Sequence, residues 1–398
     1  MDTQTTLPEA LNTVLNKGLA TTAPAIALAV IQRGTMIVNC ALGQLDPDAS
    51  PDPARPESRF DLASVTKLFT ATAFLQQAAE GKIGLHVPIT SVIPEFGRYG
   101  PRPIDGGQDP HTLALLPPEH PSEVQIDPRT VTFYHLLTHT GGLAPWRDLF
   151  RNVGSPPPPP GEPDPLFHAE RMARALDLIA GYPFVGLPGQ AVRYSDLGLI
   201  LLGEAVRRLD GAVTLADVIA ARITGPLDLT RTGYRPSDPA DCAATEYDAR
   251  WRGRRCRGEV HDENAAALGG IAGHAGLFST AADVARFGQW WLEALTEGVP
   301  ALPRQFARQA TRRHAGDRGL GWVLKSMEGY SSAGAHLSPD SFGHTGFTGT
   351  SLWIDPDRQL VAALLTNRVY HGRDPEAITV LRPRVMDALC VWLDTATR

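Results

Sequence analysis

The sequence predicts an α+β fold, in which an antiparallel β-sheet flanked by helices carries an inserted, mostly helical part. Near the start, residues 25–32 and 35–42 read as two strands of a hairpin around Arg33 and Gly34. In the last third, residues 351–355 and 359–367 are again strand-like. Strand-rich ends of a chain commonly meet in one sheet, so the helical middle is expected as an insertion.

The middle of the chain is dominated by helical periodicity. An apolar-rich pattern at helical spacing follows Ser64 and stops near Gly81. Further helices are predicted for residues 169–180, 196–209 and 215–223, and a last helix for residues 378–394.

Two proline-rich stretches interrupt this pattern. Residues 97–127 have little periodicity and are predicted to form a long surface loop. Residues 155–165 contain five consecutive prolines, which exclude a helix or a central strand and favour an extended polyproline loop.

Composition narrows the classes of function. The 398 residues carry a net charge of −6 without a basic run, which argues against a nucleic-acid partner. No run of 18 apolar residues predicts a membrane span. The first residues lack a signal-peptide pattern, so we expect either a cytoplasmic protein or one whose leader has been removed. Four cysteines are too few for a disulfide framework, and pairing of Cys242 with Cys256 is left open.

Ser64-Val65-Thr66-Lys67 is the first candidate catalytic motif. A serine at a helix start with a lysine three residues later places both side chains on one face of the helix. The hydroxyl then lies in the positive field of the helix N-terminus, with an amine within reach of its proton. This arrangement is typical of an acyl-transfer nucleophile. The alternative is a helix-capping serine with a solvated lysine.

Two further motifs follow in order. Tyr194-Ser195-Asp196 precedes an amphipathic run, and His344-Thr345-Gly346 precedes the strand at residues 351–355. Taken singly, Tyr194 reads equally well as a half-buried aromatic residue and His344 as a turn residue.

Together the three motifs resemble the serine β-lactamase and penicillin-binding-protein superfamily, on its class C β-lactamase and esterase side. That family has S-x-x-K, then Y-x-N, then K-T-G, and the segments 133–143 and 269–280 are also similar to it. The resemblance implies an α/β lobe, assigned to residues 1–62 and 258–398, and a mostly helical lobe, assigned to residues 63–257. A catalytic cleft between the lobes is implied, and no cofactor.

The resemblance implies that Ser64 attacks a carbonyl carbon and forms an acyl-enzyme. Either Lys67 or Tyr194 would take the serine proton. Because Asp196 replaces the family's asparagine, a carboxylate beside Lys67 would keep it charged. We therefore expect Tyr194 to shuttle the proton and Lys67 to support it electrostatically.

The remaining catalytic groups are also assigned by resemblance. The backbone amides of Ser64 and Phe347 are expected to bind the oxyanion, and Gly346 is expected to let the strand approach substrate closely. His344 replaces the family's lysine and is mostly neutral at pH 7, which weakens the case for a substrate carboxylate. No metal or cofactor is expected.

These departures favour a small-molecule ester or related amide as substrate. A peptidoglycan-fragment amidase or D-peptidase is the first alternative, since residues 258–270 resemble a subgroup that includes exo-acting N-acetylmuramyl-L-alanine amidases. A true β-lactamase and a non-catalytic binder of cell-wall ligands are weaker alternatives. The two proline-rich insertions are expected to narrow the entrance and restrict the substrate to small molecules.

Several weaker signals have two interpretations each. His261, Asp262 and Asn264 form either a polar loop with helix caps or a cleft wall that selects substrate. His135 and His139 have the i, i+4 spacing of metal ligands, but no glutamate accompanies them as in H-E-x-x-H, which favours a structural role. Three tryptophans either line an acyl pocket or pack in the core, namely Trp146, Trp322 and Trp353.

Overall fold

A seven-stranded antiparallel sheet organises the protein, whose computed structural model describes residues 7–110, 112–118 and 123–396. The strands, labelled β1 to β12 in chain order, are Ala25–Gln32, Thr35–Asp46, Ser50–Pro53, Phe60–Asp61, Gly233–Tyr234, Tyr247–Asp248, Arg254–Arg255, Leu277–Ser279, Val323–Leu324, Phe342–Thr345, Ser351–Asp355 and Leu360–Thr366. The large sheet has the order β3-β2-β1-β12-β11-β10-β9, so strands from the two ends of the chain meet at its centre.

The helices of the described residues are labelled α1 to α11 in chain order. They are Glu9–Thr21, Thr66–Ala79, Phe133–Leu137, Phe150–Val153, His168–Gly181, Asp196–Leu209, Leu215–Ile219, Glu263–Ala267, Ala281–Thr296, Arg304–Thr311 and Glu376–Ala396. None of them has both the length and the apolar character needed to cross a bilayer, as far as the described residues go.

Both faces of the central strand β1 are buried. Ala25, Ala27 and Ala29 belong to the apolar cluster that includes α9, whereas the alternating Ile26 and Leu28 belong to the cluster formed with α1 and α11. A strand covered by helices on both sides needs apolar residues at every position, which explains the unbroken apolar run of this segment.

Helix α2 joins the sheet to the helical part of the molecule. Its Phe69 ring stacks on Phe287 of α9 at 4.1 Å between centroids, and its Thr72 hydroxyl accepts a hydrogen bond from Trp291 Nε1 at 3.0 Å. The same apolar cluster continues into α6 and α7, so a single core runs from the sheet into the helices. The division into lobes at residues 63 and 258 stays a prediction.

The α+β class, the hairpin, the paired strands of the last third and the helices of the middle part are confirmed. Two elements that pack on the sheet, α1 and α9, were not predicted individually. Helix α9 does carry a start signal, because the Thr280 side chain accepts a hydrogen bond from the backbone of Asp283, three residues later.

In the part of the chain that the structure describes, the two proline-rich segments are loops. The described part of residues 97–127 is anchored by Arg102, which donates to the carbonyls of Ile179 and Tyr182. Residues 156–160 form neither helix nor strand. Residues 157–160 line a cavity of about 280 Å³ together with Arg235 and the Gly269–Gly270 pair. Their effect on the entrance of the cleft stays a prediction.

All four cysteines are free thiols. Cys242 and Cys256 are buried and unpaired, so the disulfide that the sequence left open is not formed. Burial raises the pKa of each of these thiols to about 12, which makes them poor nucleophiles.

Gly203 provides a test of how tightly α6 packs against the backbone at Gly273. A Cβ atom there would lie 2.7 Å from the Gly273 Cα, whereas a Cβ at Gly198 of the same helix meets only ordinary contacts at 3.5 Å or more. We expect Gly203→Ala to destabilise the protein by about 1–3 kcal/mol through overpacking. Gly198→Ala should be neutral or stabilising by up to about 1 kcal/mol.

The free energy of unfolding from urea titration measures both variants. Equal stabilities of the two variants would show that α6 does not pack tightly against the Gly273 backbone.

Candidate active site

Ser64 lies in a tight turn between β4 and α2. A 3₁₀ turn, Ala63–Val65, leads directly into the α-helix. Ala63 has a φ of 46°, a conformation that costs an alanine roughly 1–2 kcal/mol. This strained backbone places the half-buried Ser64 at the start of the helix, as the sequence predicted.

Asp61 holds this turn in place and was missed by the sequence reasoning. Its buried carboxylate accepts hydrogen bonds from the Ala63 N–H at 2.8 Å and the His261 N–H at 2.7 Å. Its backbone carbonyl accepts from the Thr348 hydroxyl at 2.7 Å. Burial raises the pKa of Asp61, partly offset by these N–H donors. Asp61 therefore ties three separate segments together next to Ser64.

Lys67 is 1% exposed and lies one turn into the helical run that starts at Ser64. Its ammonium Nζ is 2.7 Å from Ser64 Oγ, 2.8 Å from Asp196 Oδ1 and 3.0 Å from the His274 carbonyl oxygen. The spacing of three residues accounts for the contact with Ser64. The other two partners come from distant parts of the chain.

The protonation of the two candidate bases follows from these contacts. Burial lowers the pKa of Lys67, but Asp196 and Tyr194 more than offset it, so the pKa lies above its usual value. Burial raises the pKa of the Tyr194 phenol, with partial opposition from Lys67. At neutral pH the lysine is therefore a cation and the tyrosine a phenol.

Tyr194 is positioned by the cap of α6. The Ser195 side chain accepts a hydrogen bond from the Gly198 N–H and donates to the Ala144 carbonyl at 2.7 Å. Asp196 is the first residue of the helix. The cap holds Tyr194 so that its ring centroid is 4.9 Å from Lys67 Nζ.

Two further residues surround the Tyr194 ring and were not predicted there. The His139 ring lies 4.6 Å away, and its Nδ1 accepts a hydrogen bond from the Ser195 N–H at 3.1 Å. The Arg318 guanidinium carbon lies 5.5 Å from the ring centroid. Burial, reinforced by Arg318 and Lys67, holds the pKa of His139 well below its usual value, so this imidazole is neutral. The sequence singled out His139 only through its spacing from His135 and through the similarity of segment 133–143 to the family.

His135 and His139 both have structural roles, because the Nδ1 of each ring accepts a hydrogen bond from a backbone N–H. His135 Nδ1 accepts a hydrogen bond from the Thr132 N–H at 3.2 Å and caps α3. Within the described residues, no group of three or more histidine, cysteine or acidic side chains is arranged to hold a metal ion.

His344 lies in β10, buried, with its ring 6.0 Å from the Tyr194 ring. Its Nδ1 donates to the Thr345 carbonyl at 2.7 Å. Burial, together with the charges of Lys67 and Arg318, lowers the pKa of His344 to about 3. His344 is therefore neutral and cannot supply the charge of the lysine it replaces.

The turn after His344 is tied to the backbone just before Ser64. The Thr350 hydroxyl donates to the Leu62 carbonyl at 2.8 Å. A Cβ atom on Gly346 would lie 2.1 Å from Thr350 Oγ1 and 2.4 Å from the Leu62 oxygen. Only glycine therefore fits at Gly346, and the adjoining Phe347 side chain is 45% exposed.

The predicted polar loop has its own set of contacts. His261 Nε2 is 2.8 Å from Glu246 Oε2, and its ring stacks on Phe347 at 5.7 Å. Asp262 caps α8 and pairs with His274 Nε2 at 2.9 Å. Burial raises the pKa of Asp262, but His274 outweighs it, so the pKa is lowered.

Asn264 is fully buried, and its contacts are all to backbone. Its Oδ1 accepts from the N–H groups of Leu149 and Phe150, and its Nδ2 donates to the Arg147 carbonyl at 2.9 Å. This corrects the expectation that Asn264 selects substrate, because its side chain is used to hold the 147–150 segment. In the same way, Trp322 and Trp353 are core residues, whereas Trp146 is only partly buried.

Comparison with protein families and curated proteins gives a consistent result. The family model described as Beta-lactamase matches residues 11–384. Esterase EstB of Burkholderia gladioli is 30% identical over 387 residues, which cover 90% of each chain. The N-acetylmuramyl-L-alanine amidase of Bacillus subtilis (strain 168) is 29% identical and covers 89% of this chain and 79% of the relative.

Solved structures share the fold at low sequence identity. EstCE1, described as a hydrolase with promiscuous acyltransferase activity, superposes with a TM-score of 0.69 at 20% identity and covers 94% of this chain and 98% of its own. A penicillin-binding-protein homologue from Caulobacter crescentus gives a TM-score of 0.66 at 20% identity, with 96% and 98% covered.

Replacing Asp196 tests what controls the charge of Lys67. In Asp196→Asn the attraction that raises the pKa of Lys67 is gone while burial, which lowers it, remains. We expect the rate at which a fluorophosphonate labels Ser64 to rise with pH between about pH 6 and 9, as Lys67 loses its proton.

The parent chain should show no such rise, and Asp196→Glu, which keeps a carboxylate, should resemble the parent. An unchanged pH profile in Asp196→Asn would mean that this carboxylate does not set the charge of Lys67.

Proposed function

The chain belongs to the beta-lactamase family, and we propose that it is a serine hydrolase that cleaves small carboxylic esters or related amides through an acyl-enzyme. One observation supports this most directly. Ser64 Oγ lies 2.7 Å from a buried lysine ammonium that is itself paired with Asp196 at 2.8 Å. This is the arrangement of an activated serine nucleophile.

Neither Lys67 nor Tyr194 is deprotonated before the reaction, so the proton released by Ser64 needs a relay to another acceptor. In our proposal it passes to the Tyr194 phenol oxygen while Tyr194 gives its own proton to Lys67 and Lys67 gives one of its protons to Asp196. The Ser64 oxygen then forms a bond to the carbonyl carbon, the carbonyl oxygen becomes the oxyanion, and Asp196 holds the proton. The oxyanion then collapses and the bond from the carbonyl carbon to the leaving oxygen or nitrogen breaks. The leaving atom takes up the proton that returns through the same relay, which completes acyl-enzyme formation. Lys67 is a cation before and after this transfer.

The oxyanion is placed at the backbone N–H groups of Ser64 and Phe347. The turn that carries Phe347 is fastened to Asp61 and Leu62, which directly precede the Ser64 turn. Donors fixed before the reaction stabilise the developing charge without reorganisation, which is a large contribution to catalysis.

A small, uncharged acyl group suits the neutral His344. The relative named as an esterase supports an ester as substrate. The long loop at 97–127 contacts the segment that follows Trp146. Asp105 forms a salt bridge with Arg147, and the Gln108 side chain accepts a hydrogen bond from the Asp148 N–H. We propose that this loop limits the acyl group to a short chain, and that His261 and Asp262 line the cleft near Phe347.

Hydrolysis of p-nitrophenyl esters tests the proposal. We expect turnover of the acetate and butyrate that falls at least about 10³-fold in Ser64→Ala, because the nucleophile is removed. Ser91→Ala, at an exposed serine of a 3₁₀ turn, is the matched control and should keep parent activity. The octanoate should be a poorer substrate than the butyrate. Turnover that is the same in Ser64→Ala and the parent would refute the proposed nucleophile.

A peptidase or amidase acting on peptidoglycan fragments is the second candidate, and Arg318 is the observation that favours it. Its guanidinium beside Tyr194 supplies a positive charge that His344 lacks. Arg318 also lies within 3.2 Å of Asp317, so this charge is only partly available to a substrate. The N-acetylmuramyl-L-alanine amidase among the relatives supports the same alternative.

Two esters that differ by one charge separate the two candidates. p-Nitrophenyl hydrogen succinate carries a carboxylate that p-nitrophenyl butyrate lacks. If Arg318 anchors a carboxylate, Arg318→Gln raises KM for the succinate at least about tenfold, because a charged hydrogen bond is lost, and leaves the butyrate unchanged. Arg312→Gln, at an exposed arginine, is the control.

For a neutral-ester hydrolase we expect the butyrate to be preferred and Arg318→Gln to affect both esters equally. A preference for the succinate that depends on Arg318 would instead favour the peptidase or amidase.

A further inference from the structure

A buried arginine contacts the back of the peptide that carries the proposed oxyanion donor. Arg382 lies in α11, next to Pro383, and is 7% exposed. Its NH2 group donates to the Gly346 carbonyl at 2.6 Å and to the Thr350 carbonyl at 2.9 Å. The Gly346 carbonyl belongs to the same planar peptide as the Phe347 N–H.

A second arginine holds the other side of Phe347. Arg368 is 6% exposed, and its Nε donates to the Phe347 carbonyl at 2.7 Å. Its guanidinium carbon also lies 4.4 Å from the centroid of the Phe347 ring. Its NH1 donates to the carbonyls of Arg373 and Asp374, which fixes the side chain.

Neither guanidinium has a carboxylate within 4.0 Å among the described residues. Three of the other four buried arginines there have one, and Arg102 is the exception. Burial lowers the pKa of Arg368 and of Arg382 to about 10, which leaves both charged at neutral pH. Burying unpaired charge is costly, and a carbonyl can be satisfied more cheaply, as the Thr350 hydroxyl does for Leu62. What distinguishes these two arginines from Arg102, which also lacks a carboxylate and donates to carbonyls, is that they contact the Gly346 and Phe347 carbonyls on either side of the proposed oxyanion donor.

The physical effect of Arg382 on the peptide is twofold. A cation donating to a carbonyl draws electron density through the amide, which makes the N–H on the other side a stronger donor. It also fixes orientation, because the C=O and N–H of one peptide point in opposite directions. A rotation that turned the Phe347 N–H away would break the bond between Arg382 and the Gly346 carbonyl.

We propose that Arg382, assisted by Arg368, is a positioning residue for the oxyanion site, and that it orients and polarises the Gly346–Phe347 peptide. The inference rests on the proposed function, since it requires that Ser64 forms an acyl-enzyme whose carbonyl oxygen meets the Phe347 N–H. Neither arginine touches the substrate.

Kinetics with p-nitrophenyl acetate give the first readout. We expect Arg382→Gln to lower kcat by roughly 10- to 100-fold, somewhat less than the loss of a direct oxyanion donor, with little change in KM. Arg382→Lys, which keeps the charge, should recover part of this loss. Arg384→Gln, at an exposed arginine of the same helix, is the matched control and should behave as the parent.

The second readout is the infrared carbonyl band of the acyl-enzyme, formed from a slowly hydrolysed ester with a ¹³C-labelled carbonyl. Hydrogen bonds from the oxyanion donors lower this frequency. The band should move to higher frequency in Arg382→Gln and, to a smaller extent, in Arg368→Gln. Because the two arginines lie on different elements, Arg368→Gln keeps the test decisive if Arg382→Gln fails to fold.

A reduced kcat with the carbonyl band at the parent frequency would show a purely structural role and overturn the inference. Parent-like kcat in both variants would overturn it as well. In either case Ser64-dependent turnover of the parent would leave the proposed function standing. Absence of that turnover in the parent would refute the proposed function, and the inference with it.

Discussion

The buried ammonium of Lys67 is the constraint on which the rest of the site depends. An unpaired charge at 1% exposure would be strongly unfavourable, so the fold has to bring it partners. Ser64 comes from the same helix, Asp196 from the first turn of α6 and the His274 carbonyl from the glycine-rich segment near β8. The contacts that stabilise this one cation thus bring Ser64, Asp196 and the His274 backbone together from three separate parts of the chain.

Four cations lie around the site, among the carboxylates of Asp61, Asp196 and Asp262. The chain has a net charge of −6, yet Lys67, Arg318, Arg368 and Arg382 all lie around the Ser64 and Phe347 turns. His139 and His344 are kept neutral by burial and by the charges of Lys67 and Arg318. Cations held close to the proposed oxyanion site favour a reaction that develops negative charge on oxygen.

The sequence predicted those parts of the site that depend on local spacing or on a motif. Ser64 and Lys67 meet because residues three apart on a helix are neighbours, and the resemblance to a known family located Tyr194 and His344. Asp61, His139 and Arg318 reach the site through long-range packing, which no local pattern records. Helix α9 was missed although Thr280 and Asp283 mark its start.

The interpretation of Asn264 failed for a related physical reason. Its residue type and neighbours are compatible with a cleft wall, but its environment is decided by the segment at 147–150 that folds over it. A polar side chain of a loop that becomes fully buried is used to satisfy backbone groups, and the sequence does not show which loops become covered.

The order of the strands also has a consequence for biosynthesis. Strand β1 is made early, but its partner β12 and the turn at residues 346–350 emerge from the ribosome almost last. Until then one edge of β1 is unpaired and the Ser64 turn lacks the threonine hydroxyls that hold it. A nascent chain therefore carries its nucleophile long before it can use it, and a truncated product would be inert rather than indiscriminately reactive.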